Sequence, residues 1–564
     1  MDILSPKVRR ARFDTDLSDR FVAAESRTKL WTESDPAERY LVAGKIHNLR
    51  VAVKKLNGLE VGAGQIFSFW RQIGKATRFR GFVAGRELRE GCIIPSVGGG
   101  LCQLSNALYD AALRSGFEIV ERHAHSEIVP GSVAEAGRDA TVFWNYVDLR
   151  FRSGQPFRIE AELDTDNLTV RFRGDGSEKK QLHQIRRTAS QNGSPNNCVT
   201  CGADDCFRAA KPSGNNVFGR TAYLVDEFSS EFDEYIQSGR SGPDALFLPL
   251  DGARFSRANY SWTTTGFGTV HQSLPVTLYR SYRSRKLAAQ GAKRQLNLLT
   301  MYERLAASYA KRLKFDVLHL VVQQNLLPFL WKNGHLGGRT FDVLMTALPM
   351  NELQKRLDLA HSLHPESKTL ADFRADESLV RAENEALKRA RKIITPHTEI
   401  ASLFGDRAVL LDWKMPKAEM RKLSVGSKHR VVLPSSTVGR KGCYELRDAL
   451  CGLDVTLVTL GNDIEGDDFW RGFDVERGGR DWMDRADIVV LPAFVEHKPR
   501  RLLQAAAAGI PVIASKACGV EKVSGVKTVD IGDVESLRTA ILEKLSSRWN
   551  FMDGGGKPPF LTVY

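Results

Sequence analysis

The sequence predicts an α/β multidomain protein, with a smaller α+β domain first and two Rossmann-like parallel-sheet halves after it. Three observations carry this. The chain has 564 residues, enough for three or four domains of ordinary size. From about Val217 onward, short continuous apolar runs alternate with helical stretches, which is the pattern of parallel strands covered on both faces. A Gly-, Asn-, Ser- and Pro-rich stretch from about Ser190 to Asn216 separates that region from what precedes it. The expected divisions are an extension at 1–40, a first domain at 41–180, a Cys-rich linker at 181–216, Rossmann-like halves at 217–400 and 401–548, and a tail at 549–564. With 42% hydrophobic and 26% charged residues, the composition is globular rather than disordered.

In the first domain, Gly98-Gly99-Gly100 gives the backbone freedom to turn tightly and leave space above it. Leu101, Leu104, Leu108 and Ala111 follow at helical spacing, and Ser115-Gly116 stops the helix. Cys102 therefore falls in the first turn of a helix beside a glycine-lined gap, where the helix dipole favours the thiolate. A strand-like run, Phe117 to Val120, leads to Glu121-Arg122-His123-Ala124-His125. A cysteine at a helix start and a histidine on a following strand suit acyl transfer, as nucleophile and base. The same residues also fit a tight turn with a buried structural cysteine.

A wider set of segments bears on that choice. Asn48-Leu49-Arg50-Val51-Ala52, Leu56-Asn57-Gly58, Gly64 to Trp70, Gly98 to Gln103, Glu121-Arg122 with His125, Gly137 to Val142 and Asp148 to Phe151 occur in that order. This succession, over roughly residues 40 to 175, resembles the VanW family, named for an accessory protein of vancomycin-resistance clusters. The resemblance implies a tie to cell-wall peptidoglycan, and some VanW domains are understood to act as cysteine-dependent transpeptidases. It further implies Cys102 as nucleophile, His125 rather than His123 as its histidine, Asp139 and Asp148 as candidates to orient that histidine, and Gln103 as a candidate oxyanion donor.

Eight cysteines with no signal-peptide-like start do not suggest a disulfide framework. Three of them cluster as Cys198-x-x-Cys201-x4-Cys206 in the linker. Three thiolates on one turn suit zinc or an iron–sulfur cluster, with His183 the nearest candidate for a fourth ligand. Three linker thiols without metal, or a redox pair, are the alternatives.

In the remainder, strands are expected at Thr221–Val225, Ala245–Leu248, Phe315–Val322, Lys392–Thr395, Val431–Pro434, Val455–Leu460, Ile488–Pro492 and Pro511–Ser515. Ligands of such sheets bind at the carboxyl ends of the strands. The run from Ala486 to Pro492, then Glu496, Leu502 to Ala505, Ala508-Gly509 and Pro511 to Gly519, resembles the nucleotide-sugar half of a GT-B glycosyltransferase. In that family a Glu-x7-Glu pair faces the donor, the first acid near the sugar and the second on the ribose. Glu496 matches the first position, and Gln504 replaces the second. Lys441, in Gly439-Arg440-Lys441-Gly442, fits the family's donor-phosphate lysine. The usual arginine upstream is replaced by Ser435 and Ser436, and Arg440 is the candidate to compensate. The resemblance implies a nucleotide-sugar donor and an envelope acceptor such as a peptidoglycan precursor.

The formal charge is +14, but the cations are spread along the chain among many acids, with no zinc-finger or RRM-like pattern. No nucleic-acid partner is expected. Peripheral contact with an anionic membrane or with phosphorylated substrates is a better reading than nucleic acid, and a solvated basic surface with no partner ranks above both. No run of about eighteen apolar residues occurs, and Met1 to Arg20 lacks the apolar core of a signal peptide, so a cytoplasmic, membrane-associated location is expected. The function expected is a cytoplasmic envelope enzyme with a cysteine domain and a glycosyltransferase. The alternative is a non-catalytic binding or scaffold protein for wall precursors.

Overall fold

The computed structural model describes residues 12–13, 16–31, 38–89, 92–125, 137–174, 219–286, 291–371, 374–417 and 428–552. The first domain is α+β. Its main sheet has five antiparallel strands in the order Arg12–Phe13, Leu59–Val61, Phe157–Leu163, Asn167–Gly174, Val22–Lys29. Along Phe157–Leu163 alternate residues point inward, so Phe157, Ile159, Ala161 and Leu163 are buried. The helix Cys102–Arg114 packs across the last two strands of that order. Phe117 stacks on Phe172 at 5.4 Å, and Phe67 on Phe151 at 4.6 Å, filling the core between the main sheet and a small three-stranded one.

The three glycines before Cys102 serve close packing rather than a gap. Gly98 and Gly100 have φ of 85° and 92°. A Cβ on Gly99 would lie 2.5 Å from the Gly85 carbonyl oxygen, and one on Gly100 would lie 2.0 Å from Cγ of Lys45. The space above the glycines is thus filled by the hairpin Ala84–Arg89/Cys92–Val97 and by the helix Arg39–Val53. Asn48 of that helix locks the arrangement. Its Nδ2 donates to the Val83 and Gly99 carbonyls at 3.0 Å each, and its Oδ1 accepts from the Val83 N–H at 2.9 Å. Arg50, two residues on, donates to the Gly337 carbonyl at 2.6 Å and ties this domain to the next.

Two parallel sheets follow. The first runs Thr269–Gln272, Ala245–Leu248, Arg220–Leu224, Val317–Gln323, Thr340–Leu344, Ile393–Thr395, Ala408–Leu410. The second runs Asp474–Arg477, Val455–Thr459, His429–Leu433, Ile488–Leu491, Val512–Ser515, Val526–Val529. Counted along the chain, the orders are 3-2-1-4-5-6-7 and 3-2-1-4-5-6, the doubly wound arrangement in which the strand order reverses at a crevice. In the second sheet the crevice lies beyond Leu433 and Leu491. All eight expected strands in this region occur, within about two residues at their ends. Five more were not legible. Thr269–Gln272, Asp474–Arg477 and Val526–Val529 are half-exposed edge strands without a continuous apolar run, Ala408–Leu410 is a half-exposed edge strand of only three residues, and Asp342 interrupts Thr340–Leu344.

Candidate active sites

Cys102 is the first residue of its helix. It is half-buried, with Sγ 3.9 Å from Thr141 Oγ1 and 4.0 Å from the Val142 carbonyl. A single antiparallel bridge joins His123 to Thr141, with the Thr141 N–H donating to the His123 carbonyl at 2.8 Å. That bridge sets His125 beside Asp139, two residues from each partner. His125 Nδ1 bonds Asp139 Oδ1, and the His125 N–H donates to Asp139 Oδ2 at 2.5 Å. His125 is also a side-chain hydrogen-bond partner of Cys102. Three of the expected residues therefore meet in the order thiol, imidazole, carboxylate.

The electrostatics are mutually supporting. Burial by itself would push the Cys102 thiol up, but the hydrogen bond and charge of His125 hold it below the ordinary cysteine value. Burial would lower His125, yet bonds to Asp139 and Cys102 push it up to about 10. Burial would raise Asp139, and His125 keeps it below the usual carboxylate range. Both shifts act in the direction of a thiolate beside an imidazolium.

Two expected residues stand elsewhere. Asp148 is fully buried and accepts from Ser68 Oγ at 2.5 Å, the Trp70 N–H at 3.1 Å and Arg150 Nε at 2.9 Å. It fixes the start of the short helix Phe69–Ile73 and is not bonded to His125. Gln103 spends its amide donors on Thr28 Oγ1 at 3.0 Å and the Lys29 carbonyl at 2.8 Å, so it pins the helix to the main sheet instead of facing an oxyanion. Two residues were missed. Ser105 Oγ donates to the Ala140 carbonyl at 2.5 Å, and Asn106 Oδ1 accepts from the Ala140 N–H at 2.8 Å, which holds Asp139 in place. Their only signal was polarity on the buried face of the helix, a signal they share with Asp110.

In the second parallel sheet, Lys441 Nζ lies 2.8 Å from Glu496 Oε2 and 3.0 Å from the Val495 carbonyl. Burial would raise the Glu496 carboxyl, and Lys441 holds it below the usual range. The loop is packed tightly: Gly442 has φ of 72°, and a Cβ there would lie 2.0 Å from the Pro492 carbonyl oxygen. Glu465, absent from the expected set, collects the Gly439 N–H at 2.8 Å, the Lys368 N–H, Ser367 Oγ and Tyr444 OH at 3.0 Å each, and the Thr369 hydroxyl. No motif marks it, because its partners come from distant segments. The Arg440 carbonyl accepts from the Phe494 and Val495 N–H groups, and Arg440 itself is exposed.

A cavity of about 320 Å³ sits at the crevice of this sheet, lined by Pro434, Ser435, Glu496, Lys498, Arg500 and Arg501 among others. Gln504 lies outside that lining, exposed on the helix Arg500–Ala507. The other half reaches across. Arg500 forks onto Glu231 at 2.7 and 2.6 Å, and Lys498 pairs with Glu227. Burial would raise Glu231, but Arg500 and Ser229 hold it down at about 2. A larger cavity, about 510 Å³, lies beside Ser115, Phe117 and Arg152 at the far end of the Cys102 helix. No cysteine or histidine lines it.

Among the described residues no group of His, Cys, Asp or Glu is placed to hold a metal. Cys198, Cys201, Cys206 and His183 lie outside the described residues. No described helix is long and apolar enough to cross a membrane.

Comparison with known proteins agrees with this division. Residues 44–173 match the family model described as VanW like protein, and residues 463–547 match the one described as Glycosyl transferases group 1. The chain thus carries a VanW-like domain followed by a glycosyltransferase domain. It is 31% identical over 147 residues to Uncharacterized protein YoaR of Bacillus subtilis, covering 26% of this chain and 48% of that one. It is 31% identical over 152 residues to Vancomycin B-type resistance protein VanW of Enterococcus faecalis, covering 26% and 55%. The chain spans about half the length of the curated relatives it matches. Among solved structures, sucrose-phosphate synthase from Thermosynechococcus elongatus aligns at 14% identity with a TM-score of 0.36, covering 58% of this chain and 90% of that one. Anabaena Alr3699/HepE in complex with UDP-glucose aligns at 14% and 0.34, with the same coverage.

Proposed function

We propose that this chain is a cell-envelope enzyme with two chemistries. Its two Rossmann-like halves transfer a sugar from a nucleotide-sugar donor to an envelope acceptor. Its VanW-like domain performs cysteine-dependent acyl transfer on a peptidoglycan precursor. Nucleotide sugars are cytoplasmic metabolites, so the reading has both domains act in the cytoplasm, against precursors at an anionic membrane surface.

The observation that carries the transferase reading is the Lys441–Glu496 pair, in which Lys441 stands behind Glu496 and Glu496 lines the cavity at the crevice of the second sheet. A cation there compensates the charge that develops on a departing nucleoside diphosphate, and the carboxylate beside it positions the sugar. Arg440 and Gln504 are assigned supporting contacts to the donor, Gln504 after a movement that brings its amide to the ribose. In the VanW-like domain the Cys102 thiolate attacks an acyl carbon, forming an Sγ–C bond. The His125 imidazolium gives its proton to the departing amine. A second amine then attacks the thioester, losing its proton to His125 and releasing the thiolate. The Cys102 N–H is the donor assigned to the oxyanion, since the Gln103 side-chain amide and the Gln103 and Leu104 N–H groups are engaged. Cys198, Cys201 and Cys206 are assigned a zinc or iron–sulfur site with His183, which elemental analysis of the purified protein tests.

One observation favours a second reading, a binding or scaffold protein for wall precursors: Gln504 lies away from the cavity, while Lys498 and Arg500 are already neutralised by Glu227 and Glu231. Calorimetry with UDP, GDP and ADP separates the two. Binding of one of them, followed by release of free sugar from its sugar conjugate, supports transfer. Failure of all three rejects it and leaves the scaffold reading.

A further inference from the structure

The helices Leu274–Lys286 and Ala292–Ala310 form an antiparallel hairpin at the carboxyl edge of the first parallel sheet. Four contacts fix the pairing. Ser273 Oγ lies 2.6 Å from Ser308 Oγ at the base, the Arg304 guanidinium sits 4.8 Å over the Tyr279 ring, that of Arg280 sits 5.3 Å over Tyr302, and Arg283 Nε donates to Asn297 Oδ1 at 3.3 Å toward the tip. The base is anchored at the strand ends, where Arg280 pairs with Asp226 at 2.6 Å and Tyr309 OH donates to the Val225 carbonyl at 2.7 Å.

The outer part is different. From Ser281 to Arg285 and from Lys293 to Leu296, every side chain is exposed. Tyr282 is 54% exposed and Leu296 55%, and Leu278, one turn nearer the base on the same face as Tyr282, is 67% exposed. Leu278, Tyr282 and Arg285 follow at i, i+4 and i+7, on one helix face. Across the hairpin, basic residues outnumber the single acid, Glu303, by seven to one. A solvated basic surface has no use for exposed leucine and tyrosine, and a surface with seven cations to one acid calls for an anionic partner. Apolar and aromatic groups interleaved with Arg and Lys match an anionic lipid interface, where the rings and aliphatic chains enter the headgroup region and the cations meet phosphate.

We propose that the outer half of this hairpin docks on an anionic membrane surface and so brings the first Rossmann-like half to a lipid-borne acceptor. The inference deepens the envelope-acceptor reading above, and its test does not depend on catalysis. The full chain is sedimented with phosphatidylcholine vesicles and with phosphatidylcholine vesicles containing phosphatidylglycerol. The expected result is binding at least about tenfold tighter to the anionic vesicles, weakened by salt. Leu278→Ser/Tyr282→Ser/Leu296→Ser and, separately, Arg285→Ser/Lys293→Ser/Arg294→Ser are each expected to lose about tenfold or more, with an unchanged circular dichroism spectrum. Nucleotide calorimetry on the same samples reports the donor site independently, so failure of one reading is distinguishable from failure of the other. Wild-type protein that ignores anionic vesicles, folded variants that bind them as wild type does, or capture by a duplex oligonucleotide in place of vesicles would each overturn the proposal.

Discussion

The Cys102 site and the Lys441 site are built in opposite ways. Cys102, His125 and Asp139 come from one domain and one core, within 38 residues of chain, and each stabilises the charge of the next. The crevice around Lys441 depends on two halves of the molecule, and its outer cations already hold carboxylates of the other half, Glu227 and Glu231. The first site is ready as it stands. On the proposed reading, the second has to exchange internal ion pairs for ligand before Lys498 and Arg500 can meet a phosphate. Preorganisation costs little where one core supplies every part, whereas a site between two bodies keeps its charges satisfied in the absence of ligand.

The sharpest way to break the comparison is Cys102→Ser. Acyl transfer is expected to fall by about 10³-fold or more, since nucleophile and base act as a unit, with no change in nucleotide affinity. A matching loss at both sites, measured by turnover and by calorimetry, would show that they are not independent. Lys441→Ala addresses the other side. It removes the cation of a charge-assisted contact and is expected to weaken nucleotide binding about 10- to 100-fold, leaving Cys102 alkylation as in wild type. An unchanged affinity would move the donor elsewhere in the cleft.

Glu231→Gln sharpens the point about internal ion pairs, with the smallest expected effect. Glu231 is held down at about 2 from an ordinary 4.5, so its contribution to stability is present above pH 4.5 and is lost as pH falls toward 2. Arg500 is 42% exposed, which screens the pair. The substitution is therefore expected to lower stability at neutral pH by about 1–2 kcal/mol, with the difference from wild type closing in acid. If the pair competes with ligand, nucleotide affinity rises a few-fold in the same variant. Denaturant titration across pH, paired with calorimetry, checks both.

Much of this was legible in the sequence where the signal is local. The helix start at Cys102, its stop at Ser115-Gly116 and the continuous apolar strands were all visible, because caps, breakers and buried parallel strands leave their marks within a few residues. What depends on distant contacts was not visible. Gly99 and Gly100 read as lining a gap, and only the approach of Gly85 and Lys45 shows that they admit a neighbour. Asp139 and Asp148 are the same residue type nine positions apart, and the His123–Thr141 bridge selects between them. Glu231 and Arg500 are 269 residues apart, and nothing in either segment points to the other. Glu465 likewise has four of its five partners in other loops and no motif of its own.

The measurement that tests the account most directly is the pH dependence of alkylation at each cysteine, read by peptide mass spectrometry on the native protein with and without His125→Ala. Cys443 and Cys518 are buried, with thiols pushed up by burial, and are expected to stay unmodified near neutral pH; exposed Cys451 is the internal reference. The account expects Cys102 to react faster than Cys451 at neutral pH, with a profile displaced to lower pH than that of Cys451, and His125→Ala to slow it and remove the displacement. Cys102 reacting no faster than Cys451, with a profile indifferent to His125, would contradict the thiolate–imidazolium pair and leave the VanW-like domain as a binding module.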